Sequence, residues 1–388
     1  MLPDPNTRFR DRRETRRKQK RRRRVVLFAV LLAFVGGLAY GASAGNTKHD
    51  PRETKAAAGA EQATRHGRPL HRPRPADVRG VHVTMALAGL PGRIAQYARL
   101  PNLNTIELDV KDENGNVAFV PSSVPLAKAV GAAKPFYRPR AVVSYLHSRG
   151  TYVIGRVVTF EDPVLSEARP ELAVRTSEGR VWHNNGGLGW TNPYDKRVWQ
   201  YDVDIATAAA KAGFDEIQFD YVRFPSDGDL SLIRYPGAHS QPMGWTIPSF
   251  VHYAAKRLHP LGVRVSVDVF GLSATRDLGI GQYPRRLAQY ADAVYPMVYP
   301  SHYRAGEYGL PDPSSDPGDT VARALSDFQF ALQGRKARLI PWLQDFTLGR
   351  TYTLDDIRAQ VSSARQFSTS GFLLWNPEGV YTAGGLAP

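Results

Sequence analysis

Between Val78 and Asn376 short runs of β-branched and aromatic residues alternate with segments that have the length and apolar spacing of amphipathic helices. The runs are Gly80–Met85, Thr105–Lys111, Tyr152–Phe160, Glu216–Phe224, Arg264–Gly271, Ala293–Pro300, Ala337–Phe346 and Gly371–Asn376. Between them lie helix-like segments at Gly92–Leu100, Pro139–Arg149, Lys196–Ala212, Pro248–His259, Pro284–Tyr290, Thr320–Leu332 and Leu354–Phe367. Strands that alternate with helices pair in parallel, and eight such units over about 300 residues fit an α/β chain closed as a (β/α)8 TIM barrel. The alternative is an open, doubly wound sheet. No internal sequence repeat is evident.

Side chains alternate across a strand, so parity assigns one face of each run to the helices and the other to the barrel interior. Ile106, Leu108 and Val110 face out, which turns Glu107, Asp109 and Lys111 inward. The same reasoning puts His82 and Thr84 of the first strand inside, with Arg156 of the third and Gln218 and Asp220 of the fourth. It adds Ser266 and Asp268 of the fifth, Tyr295 and Tyr299 of the sixth, Trp342 and Gln344 of the seventh, and Trp375 of the eighth. That interior is too polar for a structural plug. Carboxylates, bases and aromatic rings together suit a hydroxyl-rich ligand, since polar groups bind hydroxyls and rings stack on sugar C–H surfaces.

The fourth run, Glu216-Ile217-Gln218-Phe219-Asp220-Tyr221-Val222-Arg223-Phe224-Pro225, delivers a carboxylate, an aromatic ring and a guanidinium to one place. An Asp220–Arg223 ion pair at a strand end is the plainer reading of that segment. Glycoside hydrolysis needs two carboxyl groups with different proton affinities, and Asp220 and Asp268 sit on neighbouring strands at inward positions near the C-terminal ends. Asp220 is then the nucleophile or base, held ionised by Arg223 or Arg156, and Asp268 the general acid, with its proton affinity raised by that neighbour and by enclosure. His82, Glu107, Asp109, Lys111, Arg156, Arg223, Tyr299, Trp342, Gln344 and Trp375 are the expected substrate-binding residues. Glu161 and Asp162 either reach in from a loop or cap the following helix. Asp345 has outward parity.

The formal charge of +15 resembles that of a nucleic-acid binder until it is located. Twelve Lys/Arg against three acids fall in residues 1–24, and residues 78–388 carry only +3, so the basic signal belongs to the tail and nucleic acid is not an expected partner. The tail runs into an apolar segment, residues 25–44, that suits a single membrane helix with its N-terminus inside. Ala42-Ser43-Ala44 also resembles a signal-peptidase site, and cleavage there would give a secreted protein. Either way the remaining chain lies outside the cytoplasm. Residues 45–77 read as a disordered linker and residues 78–388 as the barrel domain. The chain has no cysteine, which excludes disulfides and thiolate chemistry. No His pair at ligand spacing accompanies the aspartates, so no metal or other cofactor is expected.

Arg79-Gly80-Val81-His82, Ile106 to Asp112, Gly155-Arg156, Trp190-Thr191-Asn192-Pro193, Phe219 to Pro225, Ser266 to Phe270 and Tyr295 to Pro300 together resemble a bacterial family of glycoside hydrolase-like domains. The resemblance spans about residues 78–380 and implies a glycosidase-type barrel, leaving the substrate open. The expected function is hydrolysis of a cell-envelope or extracellular polysaccharide. A catalytically inert glycan-binding envelope protein and a metal-dependent polysaccharide deacetylase are the competing readings. Oligomeric state is not legible.

Overall fold

The computed structural model describes residues 70–367 and 369–387. Its parallel sheet contains β1 (Val78–Val83), β2 (Thr105–Lys111), β3 (Tyr152–Val158), β4 (Glu216–Asp220), β5 (Arg264–Phe270), β6 (Ala293–Val298), β7 (Arg338–Leu339), β8 (Trp342–Gln344) and β9 (Gly371–Trp375). β1 to β6 pair in sequence order, β6 pairs with both β7 and β8, β8 pairs with β9, and β9 returns to β1. The sheet is therefore closed, and the open-sheet alternative is excluded. The short β7 and β8 are two halves of one barrel strand. Both pair with β6 in a single register, Ala293 opposite Arg338 and Met297 opposite Trp342. The gap falls at Ile340-Pro341, where proline has no N–H for the ladder.

Two separate apolar clusters follow from the alternation. Val81, Ile106, Leu108, Val153 and Val267 face outward and pack with Leu146, Val203, Phe250 and Leu325 from the helices. Tyr152, Ile154, Tyr295, Ile340 and Leu373 fill the interior. Burying each such side chain contributes about 1.5–3 kcal/mol, so the outer shell holds the helices to the barrel. Closure also requires a glycine. At Gly371 (φ +102°) the backbone of Val78 occupies the space where a Cβ would stand.

Three local differences from the sequence expectation have identifiable causes. The helix expected from Pro248 runs instead over Met243–Leu258, with the proline inside it. Proline leaves the carbonyl four residues back without its helical donor, and here the Gly244 carbonyl accepts from Arg286 Nη1 at 3.0 Å. β4 ends at Asp220 rather than Phe224, because Tyr221 has φ +49°. A bulky residue in the left-handed region cannot continue a strand. Finally, β2 shifts register between Asp109 and Lys111. That bulge cancels the alternation and sends Lys111 out of the barrel.

Residues 71–77, expected to be linker, belong to the barrel. The Arg72 amide donates to Asp215 Oδ1 at 2.5 Å. Arg74 enters the N-terminal end of the barrel and pairs with Glu216 at 2.6 Å, a carboxylate that also accepts from Tyr152 Oη (2.8 Å) and Tyr295 Oη (3.0 Å). Among the described residues no helix is long and apolar enough to cross a membrane. The expected tail (1–24), membrane segment (25–44) and most of the linker lie outside the described residues.

Breaking a buried ion pair strands the remaining charge, at a cost of about 3–5 kcal/mol. Arg74→Met is therefore expected to lower the unfolding free energy by about that amount in denaturant melts. Adding Glu216→Gln should recover most of the loss; equal losses in the single and double variants would contradict this account.

Candidate active site

The C-terminal ends of β1 to β5 converge on a group of buried ionisable side chains. At its centre is Arg156 on β3. Its Nη1 donates to Asp109 Oδ1 of β2 (2.8 Å), while its Nε and Nη2 donate to Asp220 Oδ2 of β4 (3.0 and 2.7 Å). Glu113, beyond the β2 bulge, lies 3.5 Å from the same guanidinium. Asp220 Oδ1 accepts from the Tyr221 amide at 2.7 Å, so the left-handed turn after the strand fixes the carboxylate's second oxygen. Asp109 Oδ2 accepts from the Met85 amide (3.2 Å), and Tyr137 Oη donates to the Asp109 carbonyl (2.8 Å).

Asp268 on β5 has a different environment. The pairing of Phe219 with Val267 sets Asp220 and Asp268 at the next level of neighbouring strands. Asp268 Oδ1 accepts from Gln218 Nε2 (2.5 Å) and Trp342 Nε1 (2.7 Å), and only 2% of the residue is exposed. Burial, followed by the negative charges of Asp220 and Glu107, pushes its pKa well above the usual carboxylate range. Both donors point at Oδ1, so the retained proton belongs on Oδ2. Gln282 braces this strand end, accepting from the Phe270 amide (2.9 Å) and donating to the Asp268 carbonyl (3.0 Å).

Below Asp109, His82 Nδ1 lies 2.5 Å from Glu107 Oε2, and His82 Nε2 lies 3.7 Å from Asp109 Oδ1. Burial lowers the His82 pKa to about 4 and raises that of Glu107 well above normal. The short His82–Glu107 contact places one proton between the two side chains. Burial also raises Asp109, against the opposing pull of His82 and Arg156. Trp375, partly exposed, lies 4.5 Å from His82 between ring centroids and 5.7 Å from the Arg156 guanidinium. Burial raises the Tyr299 phenol, and the charges of Asp268 and Asp220 add to it.

His82, Glu107, Asp109, Arg156, Asp220, Asp268, Trp342 and Trp375 are thus brought together. Lys111 is not. It lies behind the barrel wall, buried between Asp162 (2.8 Å) and Asp202 (2.7 Å) of the helix Lys196–Ala212. Gln344 is also committed elsewhere: its amide accepts from Ser301 N (3.0 Å) and donates to Phe346 O (2.9 Å), holding the loop after β6. Arg223 is embedded among aromatic faces, with its guanidinium 4.9 Å from Trp190, 5.0 Å from Tyr221 and 4.7 Å from Phe270. Asp162 caps the helix Pro163–Ala168, accepting from the Leu165 amide at 2.8 Å. Trp190 is fully buried. Gln218, Glu113, Tyr137 and Gln282 are additional site residues. Inward parity identifies Gln218, whereas nothing in the local sequence marks Gln282, which arrives from a loop. Arg156 stands between Asp109 and Asp220, so its positive charge occupies the place where a cation bridging them would sit.

A family whose description reads "Putative glycosyl hydrolase domain" matches residues 80–381, and the chain belongs to it. A hypothetical protein from Ruminiclostridium thermocellum ATCC 27405 is 37% identical over 49% of this chain and 97% of its own, with a TM-score of 0.45. The glycoside hydrolase domain of PgaB (BpsB) from Bordetella bronchiseptica is 16% identical, covering 78% of this chain and 95% of its own, with a TM-score of 0.56. That of PelA from Pseudomonas aeruginosa is 11% identical, covering 80% and 99%, with a TM-score of 0.46. No curated protein matches the sequence. The PgaB likeness agrees with the barrel fold.

A raised folded pKa means that the native state holds the Asp268 proton more tightly than the unfolded chain does. Its contribution to stability is complete below the unfolded value, about pH 4, and is lost as pH rises through the folded value. Asp268→Asn keeps the neutral shape. It should therefore melt higher than wild type at about pH 8 and lose that advantage near pH 4. A pH-independent difference would contradict the assignment of a retained proton.

Proposed function

We propose that the protein hydrolyses glycosidic bonds of a cell-envelope or extracellular polysaccharide, using Asp220 and Asp268. The observation that carries this reading is the contrast between two carboxyl groups at the same level of adjacent strands. Asp220 is bound by a guanidinium and an amide, whereas Asp268 is enclosed, with its pKa raised. That is the division between a nucleophile or base and a general acid. Adjacent strands are about 4.8 Å apart, a spacing that favours retention with a covalent intermediate on Asp220. Asp268 Oδ2 then gives its proton to the departing glycosidic oxygen and later takes one from the incoming water. Arg156 keeps Asp220 in place and offsets its charge before the bond to the sugar forms.

Around this pair, His82, Glu107 and Asp109 form the floor, Trp375 offers a ring face to the sugar, and Tyr299 and Arg223 stand at the wall and rim. The basic tail and apolar segment of the sequence support a tether through residues 25–44, with the barrel outside the cytoplasm and its substrate in the envelope.

Asp220→Asn and Asp268→Asn, assayed separately on envelope polysaccharide, are each expected to lose at least about 100-fold in turnover. In wild type the alkaline limb of the rate profile should follow loss of the Asp268 proton. Mass spectrometry of the products separates hydrolysis from glycan retention without cleavage, and unchanged turnover in both variants would remove these two residues from the mechanism.

A further inference from the structure

We infer that the N-terminal face of the barrel, opposite the active site, is a docking surface for anionic phospholipid headgroups. The inference goes beyond the proposed hydrolysis. In a (β/α)8 barrel the connections from helix to following strand all emerge at this face, and here they are basic. Arg149 follows the helix Pro139–Ser148, and Lys211 lies in the last turn of Lys196–Ala212. Arg264 opens β5, and Lys336 and Arg338 lead into and open β7. All five are exposed. Among the described residues, acids on these connections are confined to Asp77, Asp215 and Asp292. Asp215 is buried, holding the Arg72 amide and His147, and Asp292 is engaged by His259 at 2.9 Å.

Helix dipoles explain part of this pattern, because cations are favoured in a helix's last turn. They do not explain Lys336 and Arg338, which lie outside helices, nor the shortage of acids; Arg264, also outside a helix, lies 3.9 Å from Asp292. The opposite face has no such bias: there Glu167, Arg169, Glu171, Glu178 and Arg180 alternate, with Arg169–Glu171 and Arg180–Glu178 pairs at 2.5 Å. The occupant follows from where the described chain begins. Arg72 and Arg74 are fastened to the basic face, and the sequence that precedes them carries a basic run before residue 25 and an apolar segment after it, a composition suited to an anionic lipid surface. Lys and Arg near an anionic leaflet each contribute roughly 1 kcal/mol of attraction. Docked this way, the barrel turns its active site away from the lipid.

The chain has no cysteine, so single labels can be introduced cleanly. The full chain carrying a donor dye at Gln333→Cys on the basic face, or at Val380→Cys on the active-site face, is reconstituted into vesicles with headgroup acceptors. Energy transfer from position 333 is expected to rise roughly twofold from phosphatidylcholine to phosphatidylglycerol-containing vesicles, with little change from position 380. The rise should vanish at about 0.5 M salt, where the Debye length is roughly 4 Å. It should also vanish in the K211Q/K336Q/R338Q variant, whose melting temperature serves as the folding control. No dependence on lipid charge, an equal rise at both labels, or a rise that survives K211Q/K336Q/R338Q would overturn the inference. So would charge-dependent retention on soluble poly(glycerol phosphate) without a response to lipid. Incorporation into phosphatidylcholine vesicles reports the apolar segment separately, and the Asp220 and Asp268 variants report the hydrolytic site.

Discussion

The guanidinium of Arg156 is the interaction on which the active-site arrangement depends. Buried acids at the end of a barrel repel one another, and each loses hydration on folding. One side chain on the middle strand relieves this for Asp109 on one flank and Asp220 on the other, with Glu113 close by. Its planar fork suits the task, because separate N–H groups are directed at separate carboxylates. Asp268 lies outside the fork. Gln218 and Trp342, both neutral donors, hold it instead; their hydrogen bonds lower its pKa, but burial and the charge of Asp220 outweigh them and raise it. The chemical difference between the two aspartates therefore follows from which strand the arginine occupies.

The fold was legible in the sequence because hydrophobic alternation is a property of each strand alone. Parity placed His82, Glu107, Asp109, Arg156, Asp220, Asp268, Trp342 and Trp375 on one surface, and the two apolar clusters separate along the same division. It failed where the backbone departs from regular pleating. Lys111 reads as inward only if β2 has no bulge, and nothing in Asp109-Val110-Lys111 announces one. Gln344 keeps its parity but spends its amide on the loop after β6, a contact with a distant segment. Gln282 could not be read locally for the same reason. The fourth run reads as strand up to Phe224, whereas the backbone turns at Tyr221.

The left-handed conformation of Tyr221 joins fold to site. Such conformations cost of order 1–3 kcal/mol in a non-glycine residue and persist when surrounding contacts over-determine them. Here the ring packs beside Trp190, with centroids 6.2 Å apart, and the Arg223 guanidinium lies over it. The turn that terminates β4 also presents the Tyr221 amide to Asp220. The aromatic cluster around Arg223 thus supports the Asp220 carboxylate from outside.

The attachment of the incoming chain has a mechanical consequence. β4 holds Glu216, the partner of Arg74, at one end and Asp220 at the other. A pull on the N-terminal chain is received at Arg72 and Arg74 and passes into the start of that strand. The strand is clamped laterally by β3 and β5 along its length, so the load is shared as shear across neighbouring ladders before it reaches Asp220. Load that enters at the foot of the barrel is thus spread through the sheet before it reaches the opposite end.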